Sequence, residues 1–230
     1  MQRDSTRERI IRAAYDLLTG GGREAVSTRA VCAASGVQSP TIYRLFGDKQ
    51  GLLDAVGVHG FQEYLSDKAN LAATDDPVED LRRGWDVHVR FGVENPALYA
   101  LIYGDARPGV ETPAARQASA VLAERVSRIA QVGRLRVSEP RAAHLVHAAG
   151  CGLTFTLISL PEDERDPMLS TLARESIIAT VTTDGGSHSG DTGPTSVAVA
   201  LCAVAPQLTA LTEAERGLLR EWMNRIATND

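Results

Sequence analysis

The sequence predicts an all-α protein in which a small N-terminal three-helix head carries a larger helical body. Apolar residues recur three and four positions apart along most of the 230 residues, and almost no stretch alternates as a strand would. Two short helical segments, separated by a tight turn, lie between residues 27 and 46. Charge is uneven, because residues 1–50 carry a net charge of +3 within a total of −5. A basic head on an acidic body is typical of a protein that presents one end to phosphate groups.

Size and composition narrow the class of protein further. No window approaches the ~18 continuous apolar residues that a membrane span needs, and the charged start MQRDSTRERI does not resemble a secretory signal. The three cysteines, Cys32, Cys151 and Cys202, are odd in number and far apart, which favours reduced thiols over a disulfide framework. We therefore expect a cytoplasmic protein that does not associate with membranes.

The first helix is predicted over residues 5–20. Ser5 and Glu8 have the spacing of a capping box at its start, and the glycines at 20–22 are expected to end it. An apolar stripe at helical spacing is formed by Ile10, Ala14, Leu17 and Leu18. Three arginines at its start, Arg3, Arg7 and Arg9, can reach a phosphate or a minor groove; a solvated helix end is the alternative.

The segment 27–46 predicts a helix-turn-helix. Ser27 suits the N-cap of a short first helix, and Gly36 supplies the backbone freedom that a sharp reversal needs. Pro40 lies at the start of a second helix, predicted over 39–46, where it forfeits no hydrogen bond. Its inward face holds Ile42, Leu45 and Phe46, and its opposite, polar face holds Ser39, Thr41, Tyr43 and Arg44. This polar face predicts a recognition helix, and the alternative is a helical hairpin inside a core.

The body is predicted as a series of amphipathic helices. They cover residues 48–69, with Asp48 as cap, then 77–94, 96–104, 112–131, 139–160, 166–182 and 212–227. The last has a Thr212–Glu215 capping box and an apolar stripe made of Leu218, Leu219, Trp222 and Ile226. The expected domains are a DNA-binding head (1–50), a larger helical body (51–183), a flexible Gly/Ser-rich loop (184–196) and a helical extension (197–230).

Residues 37–56, VQSPTIYRLFGDKQGLLDAV, resemble the recognition helix and following helix of TetR/AcrR-type bacterial transcriptional regulators. The residues that match that family at the right spacing are Thr41, Tyr43, Phe46, Lys49 and Leu52. The resemblance extends over residues 5–60 and is only architectural beyond them. Pro40 departs from the glycine or other small residue that the family often has before its threonine.

The resemblance implies roles for the residues of the motif. Thr28, Tyr43 and Lys49 resemble backbone clamps, whereas Gln38, Ser39, Thr41 and Arg44 resemble base readers. The chemistry agrees, because hydroxyls and an amide at the start of a helix can reach base edges in the major groove. The arginine fork suits either guanine or a phosphate. The expected partner is a near-palindromic double-stranded DNA operator, read by a homodimer with heads about one DNA turn apart.

The resemblance also implies that helices 139–160 and 166–182 form the dimer interface, where Gly150 and Gly152 fit close helix approach; a bend is the alternative reading of these glycines. It implies a body pocket for a small-molecule effector that releases a repressor from DNA. Residues of suitable type for that pocket are Trp85, His88, Phe91, Tyr99, Tyr103, His147, Cys151 and Phe155. Core packing is the alternative role for each of them.

Two other functional classes compete with an effector-released repressor. His144, His147 and Cys151 share a helix face and have side chains that zinc favours, so a metal-responsive regulator is one alternative and packed histidines are the other reading. A constitutive DNA-binding regulator without an effector is a further alternative. The sequence contains no G-x-S-x-G, Gly-rich phosphate loop or H-E-x-x-H, so we expect neither an enzyme nor a cofactor.

Overall fold

The computed structural model describes residues 2–69, 74–104, 108–183 and 193–228, without the side chains of 2–4, 63 and 65–69. Within these ranges the chain forms helices and no strand, which confirms the predicted all-α class. The α-helices are α1 (Gln2–Ala25), α2 (Thr28–Ser35), α3 (Ser39–Phe46), α4 (Lys49–Ala69), α5 (Pro77–Glu94), α6 (Pro96–Tyr103), α7 (Pro113–Gln131), α8 (Glu139–Ser159), α9 (Leu169–Val181), α10 (Pro194–Val204) and α11 (Glu213–Thr228).

The chain divides into two compact units. The first consists of Met1–Leu71 and Arg90–Ala118, and the second of Ala72–Val89 and Ser119–Asp230. In the first unit, α1 packs against α2, α4 and α6, and α3 packs against α2 and α4. In the second, α8 packs against α9 and α10 packs against α11. The predicted domain boundary at residue 50 is not tested by this division and stays a prediction.

The two ends of α1 differ from the prediction. The helix already begins at Gln2, so Ser5 lies inside it and the predicted Ser5–Glu8 capping box is wrong. Gly22 has φ 69° and ψ −172°, a conformation that suits glycine and is not helical. It divides α1 into a long helical segment and a short one that ends at Ala25. The glycine run therefore ends the long helical segment of α1 as predicted, and a short second segment that was not predicted follows it to Ala25.

The core of the first unit forms where the apolar stripes of its helices meet. Ile10, Ala14 and Leu18 of α1 are fully buried, as the stripe predicted, and Leu17 is half-buried. The predicted cap of α4 is also present, since the Gly51 amide donates to Asp48 Oδ1 over 2.7 Å. The remaining large core side chains of this unit include Val31, Ile42, Leu52, Leu53, Phe61, Leu98 and Tyr99.

In the second unit a buried carboxylate organises the start of α5. Asp80 is 5% exposed, and its carboxylate accepts hydrogen bonds from the Thr74 hydroxyl over 2.9 Å and from Arg128 over 2.6 Å. Arg125 donates to the Asp80 carbonyl oxygen. Burial raises the pKa of Asp80, but the Thr74 hydrogen bonds and Arg128 together lower the pKa below its ordinary value. Asp80 therefore joins α5 to α7 as an ionised group.

Further ion pairs join α5 to α9. Arg174 lies 2.6 Å from Asp86, and Arg82 lies 3.1 Å from Glu175. Burial raises the pKa of Glu175, whereas hydrogen bonds from Arg174 and Arg82 lower it overall. Since these carboxylates are about half exposed, each pair contributes modestly to the free energy of unfolding.

The C-terminal extension is helical, with one apolar face turned outward. Residues 184–192 of the predicted loop lie outside the described residues. Because α10 begins at Pro194, the loop ends before residue 196, where the sequence predicted its end. The predicted capping box of α11 is confirmed, because Glu215 accepts a hydrogen bond of 2.8 Å from the Thr212 amide. In the apolar stripe, Leu218, Trp222 and Ile226 are 45%, 51% and 43% exposed.

One described helix, α8, is long and apolar enough to cross a membrane by length and composition alone. A single such helix is weak evidence, since core helices pass the same criterion. One face of α8 is buried within the second unit through Ala142, Val146, Leu153, Thr154 and Leu157. About one third of the apolar stretch is buried in this way.

Candidate nucleic-acid interface

The helix-turn-helix forms because its caps are encoded locally. The Ser27 hydroxyl accepts a hydrogen bond of 3.1 Å from the Ala30 amide, which starts α2 as predicted. Gly36 ends α2 in the left-handed conformation, with φ 67° and ψ 29°, and its amide donates to the Cys32 carbonyl. Pro40 then occupies the second position of α3. The chain therefore reverses between two eight-residue helices.

The surface of α3 is divided between an apolar and a polar side. Ile42 is 1% exposed and faces the core, whereas Tyr43 is 51% exposed. At 100° per residue, Ser39, Tyr43 and Arg44 lie within one arc of the helix, and all three are exposed. Pro40 lies in the middle of this arc, and Thr41 is half-buried at its border. The exposed arc therefore presents a hydroxyl, a phenol and a guanidinium, with Thr41 beside it.

The other predicted DNA contacts lie at helix starts. Gln38 is exposed at the N-cap of α3 and makes no side-chain capping bond. Thr28 is half-buried at the first position of α2, and Lys49 is exposed at the first position of α4. The positive end of a helix dipole favours a phosphate at these positions. One predicted base reader already has a neighbour, because the Ser39 hydroxyl lies 3.6 Å from the Cys32 thiol.

Two arginines of α1 have a place that the sequence did not indicate. Arg9 Nε donates to the carbonyl oxygen of Ser35, the last residue of α2, over 3.1 Å. The guanidinium carbon of Arg7 lies 5.3 Å from the ring centroid of Phe46, the last residue of α3. Both contacts join residues far apart in the chain, so no local pattern could have identified them. The Arg3 side chain lies outside the described residues.

In the second unit, five of the predicted effector-pocket residues gather along α5 and α8. Trp85 is 4% exposed, and its indole nitrogen donates to the Ser170 hydroxyl over 3.2 Å. A Cβ placed on Gly150 would meet His88 at 3.5 Å and Trp85 at 3.6 Å. These are ordinary van der Waals distances, so α8 lies beside the two side chains at residue 150 and an alanine there would also fit. The neighbouring turns of α8 carry the half-buried His147, Cys151 and Phe155.

These residues do not assemble a metal site in the described part of the chain. The Cys151 thiol lies 3.7 Å from His147 Nε2, and His144, one turn before His147, is exposed. Among the described residues no group of three or more His, Cys, Asp or Glu side chains is arranged to hold a metal ion. The metal-responsive alternative with His144, His147 and Cys151 therefore gains no support from the described residues and stays an untested alternative.

The other three predicted pocket residues form an aromatic cluster in the first unit. Phe91 packs on Tyr64 with ring centroids 4.4 Å apart, and Tyr99 packs on Tyr103 at 4.8 Å. Tyr99 is completely buried and Phe91 is 7% exposed. Their environment is that of core side chains, which was the alternative reading.

The comparisons with known proteins agree with this geometry. Residues 10–56 match the family model for bacterial regulatory proteins of the tetR family. A segment of 50 residues is 44% identical to the tetracycline repressor protein class C of Escherichia coli and spans 23% of that relative's length. A tetR family transcription regulator from Shewanella sp. PV-4 has a similar fold, with a TM-score of 0.62 at 19% identity over 78% of this chain and 99% of that one.

A further structural neighbour is NalD of Pseudomonas aeruginosa, which is described as the secondary repressor of the MexAB-OprM multidrug efflux pump. Its TM-score is 0.50 at 18% identity, over 81% of this chain and all of that one. The fold and the exposed helix α3 together define the chain as a helix-turn-helix transcription regulator. The segment 10–56 therefore carries the helix-turn-helix domain of the TetR family of bacterial regulatory proteins.

Proposed function

We propose that the chain is a homodimeric repressor that binds a near-palindromic operator through α3 and leaves it when a small molecule binds the helical body. The observation that carries the proposal is the exposed arc of α3, where Ser39, Tyr43 and Arg44 point away from the buried Ile42. An α-helix fits the major groove of B-DNA, and the hydroxyl, phenol and guanidinium groups of these side chains can donate hydrogen bonds to phosphates and base edges. We propose that Thr28, Tyr43 and Lys49 hold the backbone while Gln38, Ser39, Thr41 and Arg44 contact bases.

Dimerisation is supported by an exposed face on α8 and α9. On α8 this face carries Leu145, Ala148, Gly152 and Thr156, all exposed, opposite the buried face of the same helix. On α9 Leu172 is 59% exposed, next to the small residues Ser176 and Ala179. Small residues around one large apolar side chain allow two helices to approach closely. Of the two glycines predicted for the interface, Gly152 lies on this face and Gly150 faces α5.

The effector site is proposed among Trp85, His88, His147, Cys151 and Phe155 of the second unit. Their mixture of rings, a thiol and imidazoles is typical of a site that binds an apolar molecule and orients it through a few polar groups. TetR-family regulators bind operator DNA and usually act as dimers with small-molecule effectors. Binding of such a molecule would select a body conformation whose head spacing no longer fits the operator. The protein is proposed to act in the cytoplasm and to catalyse no reaction.

The proposal is tested by selecting duplexes from a random pool with the purified protein. The expected result is a near-palindrome whose half-sites are centred about one DNA turn apart, ~34–36 Å, bound by two chains. Failure to enrich any sequence, or enrichment of a single asymmetric site by one chain, would overturn it.

The effector step needs a separate measurement. A panel of aromatic and amphipathic small molecules is screened for a rise in melting temperature, and each positive compound is added to the complex with the selected duplex. Release of the duplex supports the effector-controlled repressor. If no compound both raises the melting temperature and releases DNA, the result favours a constitutive regulator.

A further inference from the structure

The N-terminal helix α1 touches the C-terminal end of each helix of the helix-turn-helix through a positive charge. Arg9 meets α2 at the carbonyl oxygen of its last residue, Ser35, and Arg7 meets α3 at the ring of its last residue, Phe46. The two arginines are two positions apart, and both are exposed on α1. One short stretch of α1 therefore contacts the last residue of both α2 and α3.

The Arg9 contact satisfies a carbonyl that helix geometry leaves open. The last four carbonyl groups of an α-helix have no partner within the helix. In α2 the Cys32 carbonyl accepts from the amides of Gly36 and Val37, while the Ser35 carbonyl accepts from Arg9. Ser35 itself is 4% exposed, so this acceptor lies in a buried residue. A cation at the negative end of the α2 dipole is favourable in addition to the hydrogen bond.

The Arg7 contact acts on the recognition helix itself. Phe46 is half-buried and lies at the C-terminal end of α3, where its apolar side borders the exposed arc. A guanidinium within about 6 Å of a ring centroid is attracted by the negative face of the ring. Arg7 of α1 therefore contacts the C-terminal end of α3. The next residue, Gly47, has φ 81° and ends α3 before α4 begins.

We propose that Arg7 and Arg9 are positioning residues, which hold α2 and α3 at a fixed angle to α1 so that the exposed arc of α3 fits the groove. Arg9 does this through the Ser35 carbonyl and Arg7 through the Phe46 ring. This inference rests on the proposed DNA binding for its functional effect. It differs from the expectation that these arginines reach phosphates, because their partners here are protein groups.

The test compares Arg9→Ala and Arg7→Ala with Arg12→Ala as the matched control. Arg12 is an exposed arginine on the same helix and lines the same groove between α1 and α4 as Arg7. Each variant is titrated with the duplex selected by the wild-type protein and with a scrambled duplex, across a series of KCl concentrations. Arg9→Ala is expected to bind the selected duplex about 5–10-fold more weakly, since a charge-assisted hydrogen bond is lost. Its affinity for the scrambled duplex and its salt dependence are expected to equal those of the wild type.

Three results would overturn the proposal. A salt slope reduced by about one would make the arginine a phosphate contact. An equal loss of affinity in Arg12→Ala would assign the effect to the net charge of α1. Unchanged binding of the selected duplex in Arg7→Ala and Arg9→Ala would remove the effect altogether.

Two further measurements separate positioning from folding and from the function itself. In a double-mutant cycle of Arg7→Ala and Phe46→Leu, positioning predicts about 2–5-fold coupling in the affinity for the selected duplex, and independent effects contradict it. In the free protein, Arg9→Ala should speed amide hydrogen exchange in residues 31–46 more than Arg12→Ala does. This exchange measurement uses no DNA, so it tests the contacts even if selection shows the proposed function to be wrong.

Discussion

The exposed face of α3 and the exposed face formed by α8 and α9 differ in the chemistry that they offer. The α3 face presents Ser39, Tyr43 and Arg44, which are donors suited to a polar, charged surface. The α8–α9 face presents Leu145, Gly152 and Leu172 with small residues between them, which suits another helix. Exposure alone therefore does not indicate a partner, whereas the side chains that surround the exposed position do.

The largest expected effect comes from placing a charge on the α8–α9 face. Leu172→Glu should dissociate the homodimer, because a carboxylate would be buried without a partner at the interface. Loss of simultaneous binding to two half-sites then lowers the affinity for the selected duplex by about 100-fold or more. Sedimentation velocity and fluorescence anisotropy measure the two consequences.

The control for that variant is Leu218→Glu, the same substitution on the exposed stripe of α11. If Leu218→Glu is as dimeric as the wild type at the same concentration, α11 lies outside the interface. A monomeric Leu218→Glu would place the C-terminal extension within the interface. A dimeric Leu172→Glu would contradict the proposed role of the α8–α9 face.

The second effect concerns the buried carboxylate that supports the body and lies on neither face. Asp80→Asn should lower the free energy of unfolding by about 1–3 kcal/mol at neutral pH, since Arg128 loses a charged partner and remains one-third exposed. The folded pKa of Asp80 is lowered, so its contribution is present above its unfolded pKa and disappears as pH falls through the folded value. Urea unfolding should therefore show a difference between wild type and variant that shrinks in acid. A difference that grows in acid would contradict this sign.

A smaller effect is expected at the proposed backbone contacts. Tyr43→Ala and Lys49→Ala should each weaken binding about tenfold, to the selected and the scrambled duplex alike, because phosphate contacts carry no sequence information. Loss of the lysine should also reduce the slope of log affinity against log salt concentration by about 0.9. Arg12→Ala, which removes an exposed positive charge from α1, serves as a charge control in anisotropy titrations. If Tyr43→Ala or Lys49→Ala instead lost its preference for the selected duplex and still bound the scrambled duplex like the wild type, that residue would contact bases and not the backbone.

The smallest expected effect is on base preference. Thr41→Ala and Ser39→Ala should each narrow the difference between the selected and the scrambled duplex by about fivefold, since each removes a single hydroxyl from the groove. Because Thr41 is half-buried and Ser39 lies against Cys32, the melting temperature of each variant serves as the control for a loss of stability. Equal losses on both duplexes would show that these hydroxyls position α3 and do not read bases.

Features that depend on neighbouring residues were predictable from the sequence. The Ser27, Asp48 and Thr212 caps and the left-handed Gly36 follow from side chains within a few positions, and the structure contains each of them. The inward face of α3 was predictable for the same reason, because helical periodicity alone separates Ile42 from Tyr43.

Features that depend on tertiary packing were not predictable. An apolar stripe on α11 is visible in the sequence, but nothing local indicates that Trp222 is half exposed. The contacts of Arg9 with Ser35 and of Asp80 with Arg128 join residues 26 and 48 positions apart.

The account depends most on α3 lying against DNA, and amide hydrogen exchange with and without the selected duplex tests this directly. We predict slower exchange in residues 38–49 when the duplex is bound, and unchanged exchange in residues 213–228 of α11. Unchanged exchange in residues 38–49, together with protection of another exposed helix face, would contradict it.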